Sequence, residues 1–128
     1  MVNINKYKNK KVIINGEVFD SKHEYSRFLE LKLLEKSGAI YDLRRQVPYE
    51  LIPVQREPST RFYKKGRKRG EPVPGKVIEQ NVEYKADFVY IDDHGKTVVE
   101  DAKGKRTADY VIKRKLMLHV HGIKVQEV

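Results

Sequence analysis

Residues 82–104 read VEYKADFVYIDDHGKTVVEDAKG, and this stretch decides the fold. Two runs rich in Val, Phe, Tyr and Ile flank Asp93-His94-Gly95. The pattern predicts antiparallel strands over 82–91 and 96–103, joined by a three-residue turn with Gly95 in its left-handed position. Counting outward from that turn pairs Asp92 with Lys96, Phe88 with Glu100, Asp87 with Asp101 and Lys85 with Lys103. Directly opposed residues share a face, with Cβ atoms about 4.5–5.5 Å apart. Alternation adds Lys103 to the face of Asp101 and turns Glu100 away from it. Val89, Ile91 and Val99 share that face, so the two carboxylates and the ammonium sit at the edge of a buried surface.

Working toward the N-terminus, residues 11–19 form a hairpin around Asn15-Gly16, because both positions tolerate positive φ. Residues 21–36 form a helix that opens on a capping box of Ser21 and Glu24 and is stopped by Gly38. Tyr25, Phe28, Leu29, Leu31 and Leu34 supply its apolar stripe. Residues 40–52 are extended, with Leu43, Val47, Tyr49 and Leu51 directed inward. On the other side, Thr107 caps a second helix that runs to about His121 and stops at Gly122, and residues 123–128 form a last short strand. At 128 residues the chain supports one domain with a real core, residues 1–128, mixing helices and strands in the α/β (α+β) class.

Residues 53–76 break every periodicity: they hold four of the five prolines and three glycines. Residues 61–70 alone carry six Lys or Arg in ten positions. The stretch reads as one basic loop inserted into the domain. Lys64, Lys65, Arg67, Lys68 and Arg69, beside Phe62 and Tyr63, suit a nucleic-acid backbone, since cations release counterions and aromatic rings stack on unpaired bases. A solvated charge run is the plainer alternative. Gly66 and Gly70 point to a loop that orders only on binding.

The formal net charge of +9 and the pI near 9.6 favour a polyanionic partner, nucleic acid before a membrane surface. With no cysteine, disulfides and thiolate metal sites are excluded. Residues 1–10 are polar and basic, and no secretory signal or membrane span can be drawn, so the expected setting is the cytoplasm, with no membrane partner.

Like charges opposed across a sheet are destabilising. Either Asp87 and Asp101 are exposed and neutralised by Lys103 and Lys85, or a divalent cation sits between them. Mg2+ favours a few carboxylates together with waters and substrate phosphates. It would polarise a phosphodiester and make hydroxide available near neutral pH, with Lys103 stabilising the attacking water or the charge developing on the phosphate. Gln46, on the first long strand, is either an exposed polar residue or a contact to the scissile phosphate. Lys113 and Lys115 on the second helix either reach the phosphate backbone or are solvated. His23, His94, His119 and His121 show no metal-ligand spacing.

Asp87, followed fourteen residues on by Asp101-Ala102-Lys103-Gly104, resembles the bipartite signature of the PD-(D/E)xK nuclease superfamily. The flanking segments strengthen the likeness: Lys6-Tyr7, Gly16-Glu17-Val18-Phe19-Asp20-Ser21-Lys22-His23-Glu24, Tyr84-Lys85-Ala86-Asp87-Phe88 and Lys113-Arg114-Lys115-Leu116. Together they are similar to a family of small phage and prophage proteins known as a domain of unknown function within that superfamily. Ala86 stands where the fullest pattern has proline. The resemblance implies a restriction-endonuclease-like core, a mixed central sheet flanked by helices. It makes Asp87 and Asp101 metal ligands, Lys103 the site lysine, and Glu24, besides its capping role, a further catalytic and metal-binding carboxylate of the first helix. The expectation is a Mg2+-dependent endodeoxyribonuclease, with Mn2+ as substitute, selective for branched DNA such as Holliday junctions. A homodimer is expected, because a 15 kDa chain is small for holding two strands of a junction. The competing classes are a non-catalytic nucleic-acid-binding module that keeps the fold and an accessory recombination or packaging protein.

Overall fold

The computed structural model describes residues 10–103 and 105–128. The readings made on residues 1–9, Lys6-Tyr7 among them, and on Gly104 lie outside the described residues.

Local chemistry sets the ends of most elements. Asn15 and Gly16, at φ 52° and 80°, close β1 (Val12–Ile14) onto β2 (Glu17–Phe19). Ser21 Oγ accepts the Glu24 N–H at 3.1 Å and starts α1 (Lys22–Ser37), which Gly38 ends at φ 84°. After β3 (Tyr41–Ile52) the chain runs through β4 (Gln55–Arg56), β5 (Val77–Glu79), β6 (Val82–Ile91) and β7 (Thr97–Asp101). Thr107 Oγ1 accepts the Tyr110 N–H at 3.2 Å and opens α2 (Ala108–His121), which ends at Gly122 with φ 68°. β8 (Gln126–Glu127) closes the chain.

The central sheet has the order β3-β6-β7-β8. The first two pairings are antiparallel and β7–β8 is parallel, so the sheet is mixed. The turn of Asp93-His94-Gly95 gives the expected register, Phe88 opposite Glu100 and Val89 opposite Val99, with Gly95 at φ 78°. The helices cover opposite faces. Leu31 and Phe28 of α1 pack with Phe88, Tyr90 and Val98, while Tyr110 and Met117 of α2 pack with Tyr84, Val89, Val99 and Val125. Burying side chains of this size contributes about 1.5–3 kcal/mol each. Among the described residues no helix is long and apolar enough to cross a membrane.

Three expectations change. The apolar stripe of α1 is narrower than predicted: Leu29 and Leu34 are exposed, and the line against the sheet is Glu24, Phe28 and Leu31. At 100° per residue Leu29 and Leu34 rotate off that line. Next, the β6–β7 ladder runs from Ile91–Thr97 to Phe88–Glu100 and β7 ends at Asp101, so neither the Asp87–Asp101 nor the Lys85–Lys103 pair is part of it; on its other edge Lys85 pairs with Pro48 of β3. The largest change concerns residues 53–76. They form a two-stranded arm: β4 pairs with β5, Phe62 bridges Pro72, and the Tyr63 N–H donates to Glu71 O at 3.0 Å. From Arg44–Val89 to Phe62–Pro72 the paired residue numbers sum to 133 or 134, so β3, the arm and β6 are one interrupted hairpin. Prolines remove ladder donors, which interrupts the pairing and hides it from a periodicity reading.

Candidate functional site

Side-chain alternation fails at one level of the sheet. On β6, Tyr84, Ala86 and Val89 belong to the core under α2, whereas Phe88 and Tyr90 belong to the core under α1. On β3, Leu43 packs on the α1 side and Val47, Tyr49 and Leu51 on the α2 side. The pairs Arg45–Phe88 and Val47–Ala86 keep one register across this level, so no residue has been inserted. Both strands turn over together at Gln46 and Asp87, and Gln46 takes the turn in the left-handed region at φ 53°. A non-glycine residue held there costs about 1–3 kcal/mol, and such strain clusters at functional sites.

Asp87 is thereby brought within reach of both layers. Its Oδ2 accepts the Ala102 N–H at 2.9 Å, capping the end of β7, and its Oδ1 accepts from Gln46 Nε2 at 3.3 Å. The same amide donates to Glu24 Oε1 at 3.0 Å. Glu24 Oε2 accepts the Asp20 N–H at 2.7 Å, so the capping box closes one residue earlier than Ser21. Glu24 both caps α1 and joins the acids. Asp20, Glu24 and Asp87 each present a carboxylate oxygen, all within 4.8 Å of one another.

Asp101 approaches from the α2 side. Tyr84 donates its hydroxyl to Asp101 Oδ2 at 2.5 Å. The other oxygen, Oδ1, is buried and has no hydrogen-bond partner, with Lys103 Nζ at 3.8 Å. Lys103 is partly exposed, its ammonium lying 5.4 Å from the centre of the Tyr110 ring. Burial, then the charge of Asp87, pushes Asp101 up to about 7. Burial likewise raises Asp87, opposed by the Ala102 N–H, Lys103 and Gln46. Glu24 is raised by burial and then by Asp87. Carboxyls that resist ionisation side by side hold protons that a cation would displace.

Two further charged groups frame the cluster. Arg45 stacks on Phe19 at 3.8 Å, donates from Nη2 to Val18 O at 2.9 Å and lies 3.6 Å from Glu24 Oε1. Glu100, beside Asp101 in sequence, faces the other way, as alternation predicts. It accepts a two-pronged contact from Arg27 at 2.8 and 2.7 Å and the Tyr90 hydroxyl. Glu100 is therefore a clamp between β7 and α1, and Arg27 lies one turn beyond Glu24.

Of the residues named from sequence, Glu24, Gln46, Asp87, Asp101 and Lys103 come together. Lys64, Lys65, Arg67, Lys68 and Arg69 are exposed at the far end of the arm. Lys113 is half-buried and Lys115 exposed on α2, and neither belongs to the acid cluster. His23 and His121 contact the carbonyls of Val128 and Glu50, and neither belongs to the acid cluster. Sequence reasoning missed Asp20, Arg45 and Tyr84. Asp20 had a signal, standing directly before the helix cap; the other two reach the site only through tertiary packing.

A metal ion could be held by Asp20, Glu24 and Asp87. Asp101, expected among the ligands, is not one of these three; its unpartnered Oδ1 is a further carboxyl oxygen near Asp87, and an all-oxygen set suits a hard cation. The chain belongs to the DUF1064 family, described as a protein of unknown function, whose model matches residues 4–126. Comparison with curated proteins and with solved structures gives no match.

Proposed function

We propose that this DUF1064 protein is a Mg2+-dependent endodeoxyribonuclease with a restriction-endonuclease-like core of the PD-(D/E)xK kind, hydrolysing phosphodiester bonds in branched DNA such as Holliday junctions. The observation that carries the reading is Asp101: a buried carboxylate with one oxygen unpartnered, next to Asp87 and within 3.8 Å of Lys103, at a strand end. A buried carboxyl oxygen with no hydrogen-bond partner, and an ammonium no nearer than 3.8 Å, is costly in a purely structural role.

Asp87, Asp101 and Glu24 would hold the cation, with Asp20 as a fourth acid. When bound, such an ion supplies Lewis-acid polarisation of a phosphoryl oxygen and a source of hydroxide near neutral pH. The chain's own groups prepare the place. Tyr84 occupies Asp101 Oδ2 and leaves Oδ1 free. Ala102 and Gln46 fix the Asp87 carboxylate, and Gln46 ties it to Glu24. Lys103, partly exposed, sets a positive charge where negative charge grows on the phosphate in the transition state. The net charge of +9 draws the polyanion in. Cutting two strands of a junction calls for a homodimer. The setting that goes with this reading is phage or prophage DNA recombination in the bacterial cytoplasm.

The test is cleavage of four-way, flap and linear DNA in Mg2+ or Mn2+ by wild type and Asp101→Ala, with the product ends mapped. Cutting by wild type alone, leaving 5′-phosphates, supports the enzyme. Binding without cutting, equal in both proteins, replaces it with a DNA-binding module. Linear duplex cut as readily as junctions removes the branched-DNA part.

A further inference from the structure

The arm between β3 and β6 is already built. Its base is tied by Arg56 Nη1 donating to Gly75 O at 2.9 Å and by the Glu57 N–H donating to Lys76 O at 2.8 Å. Gly75 passes so close to its neighbour that a Cβ there would stand 1.9 Å from the Glu57 carbonyl oxygen. Further out the strands pair again, through Val73 N–H to Arg61 O at 2.9 Å and Tyr63 N–H to Glu71 O at 3.0 Å. The end is closed by Gly70 N–H to Tyr63 O at 2.9 Å and Arg69 N–H to Gly66 O at 3.1 Å, with Gly66 and Gly70 at φ 83° and 86°. Arg61, Lys64, Lys65, Arg67, Lys68 and Arg69 are all exposed there, against a single acid, Glu71, within 61–73.

We infer that this arm is a preformed β-ribbon that lies in the major groove of duplex DNA, at a set distance from the proposed cutting site. The inference rests on the nuclease reading for the second half of that statement only. Charge alone would serve any polyanion, and the ribbon narrows the choice. The B-form major groove is about 12 Å wide and admits a two-stranded ribbon as it stands, whereas the minor groove, about 6 Å wide, takes one only where the duplex is bent and the groove widened. The A-form major groove of RNA is too deep and narrow for it. The strands that carry Gln46 and Asp87 continue into the arm, so the contact and the acids belong to one hairpin. Gly66 is twenty residues beyond Gln46 along one strand. At about 3.3 Å per residue the tip reaches at most about 66 Å from the acids, roughly two turns of duplex.

The test is methylation interference by dimethyl sulfate on a four-way junction and on linear duplex, with Ca2+ replacing Mg2+. The reagent marks guanine N7 in the major groove and adenine N3 in the minor groove. Wild type is expected to show guanine interference within about two turns of the mapped cut. R67A/K68A/R69A, which alters only exposed side chains, should lose those signals and lower the salt slope of binding by up to about 3. G75V keeps every cation and reshapes the arm, so it should lose the guanine pattern while keeping most of the salt slope. Interference confined to adenine N3, a guanine pattern unchanged in the charge variant, or arm-dependent preference for duplex RNA overturns the inference. Arm-dependent guanine contacts without cleavage sustain the groove contact and sink the nuclease reading. Cleavage indifferent to the arm does the reverse.

Discussion

Replacing Asp101 by Asn should stabilise the cation-free protein at alkaline pH. In the folded chain Asp101 titrates at about 7 in place of the ordinary 3.8, because it is buried beside Asp87. A carboxyl raised on folding keeps its proton in the native state after the unfolded chain has lost it. Between about pH 4 and 7 the native state therefore binds more protons, and this group lowers stability by about 1.4 kcal/mol per pH unit as pH rises. The contribution is fully present below 3.8 and lost above about 7, a swing of about 4 kcal/mol. Asp87 takes part in the same titration, so the share removed by Asp101→Asn is about 2–4 kcal/mol. The asparagine keeps an acceptor for the Tyr84 hydroxyl and carries no charge. Urea unfolding in EDTA should show the variant about 2–4 kcal/mol more stable than wild type at pH 8 and nearly equal to it at pH 4. Adding Mg2+ at about a hundred times its Kd should then raise wild type by about 2.7 kcal/mol and leave the variant almost unmoved. A variant less stable than wild type at pH 8 in EDTA, or one that keeps the wild-type pH slope, refutes the reasoning.

Glu24→Gln retains an acceptor for the Asp20 N–H, so helix content by circular dichroism should hold while Mn2+ affinity by calorimetry falls at least about tenfold. Arg27→Met leaves the buried Glu100 carboxylate without its cation and should cost about 3–5 kcal/mol in urea unfolding, whereas Glu100→Leu, which leaves Arg27 partly exposed and still paired with Glu30, should cost less. The double variant should recover most of that loss, and additive losses would count against the clamp. Lys103→Met should slow junction cleavage about 100-fold to 1000-fold while binding in Ca2+ changes less than threefold; equal losses in both would assign Lys103 to binding alone.

Local hydrogen bonds explain what was legible in the sequence. Ser21, Gly38, Thr107 and Gly122 set both helices because each cap satisfies backbone groups within five residues of itself. Gly95 fixed the turn and the turn fixed the register as far as Phe88–Glu100, so the outward Glu100 could be read by counting, whereas the Asp87–Asp101 pair counted from the same turn lies beyond that ladder. Tertiary structure alone decided the rest. The joint turnover of β3 and β6 at Gln46 and Asp87, the arrival of Asp20 through the Glu24 cap, and the Tyr84 contact that leaves one Asp101 oxygen unpartnered all depend on chain segments far apart in sequence. The arm escaped the reading for a related reason. Its strands are held by each other's backbone and not by an apolar face, so they leave no periodic trace. A capping hydrogen bond needs only its neighbours, whereas a buried carboxylate takes its chemistry from whatever the folded chain packs around it.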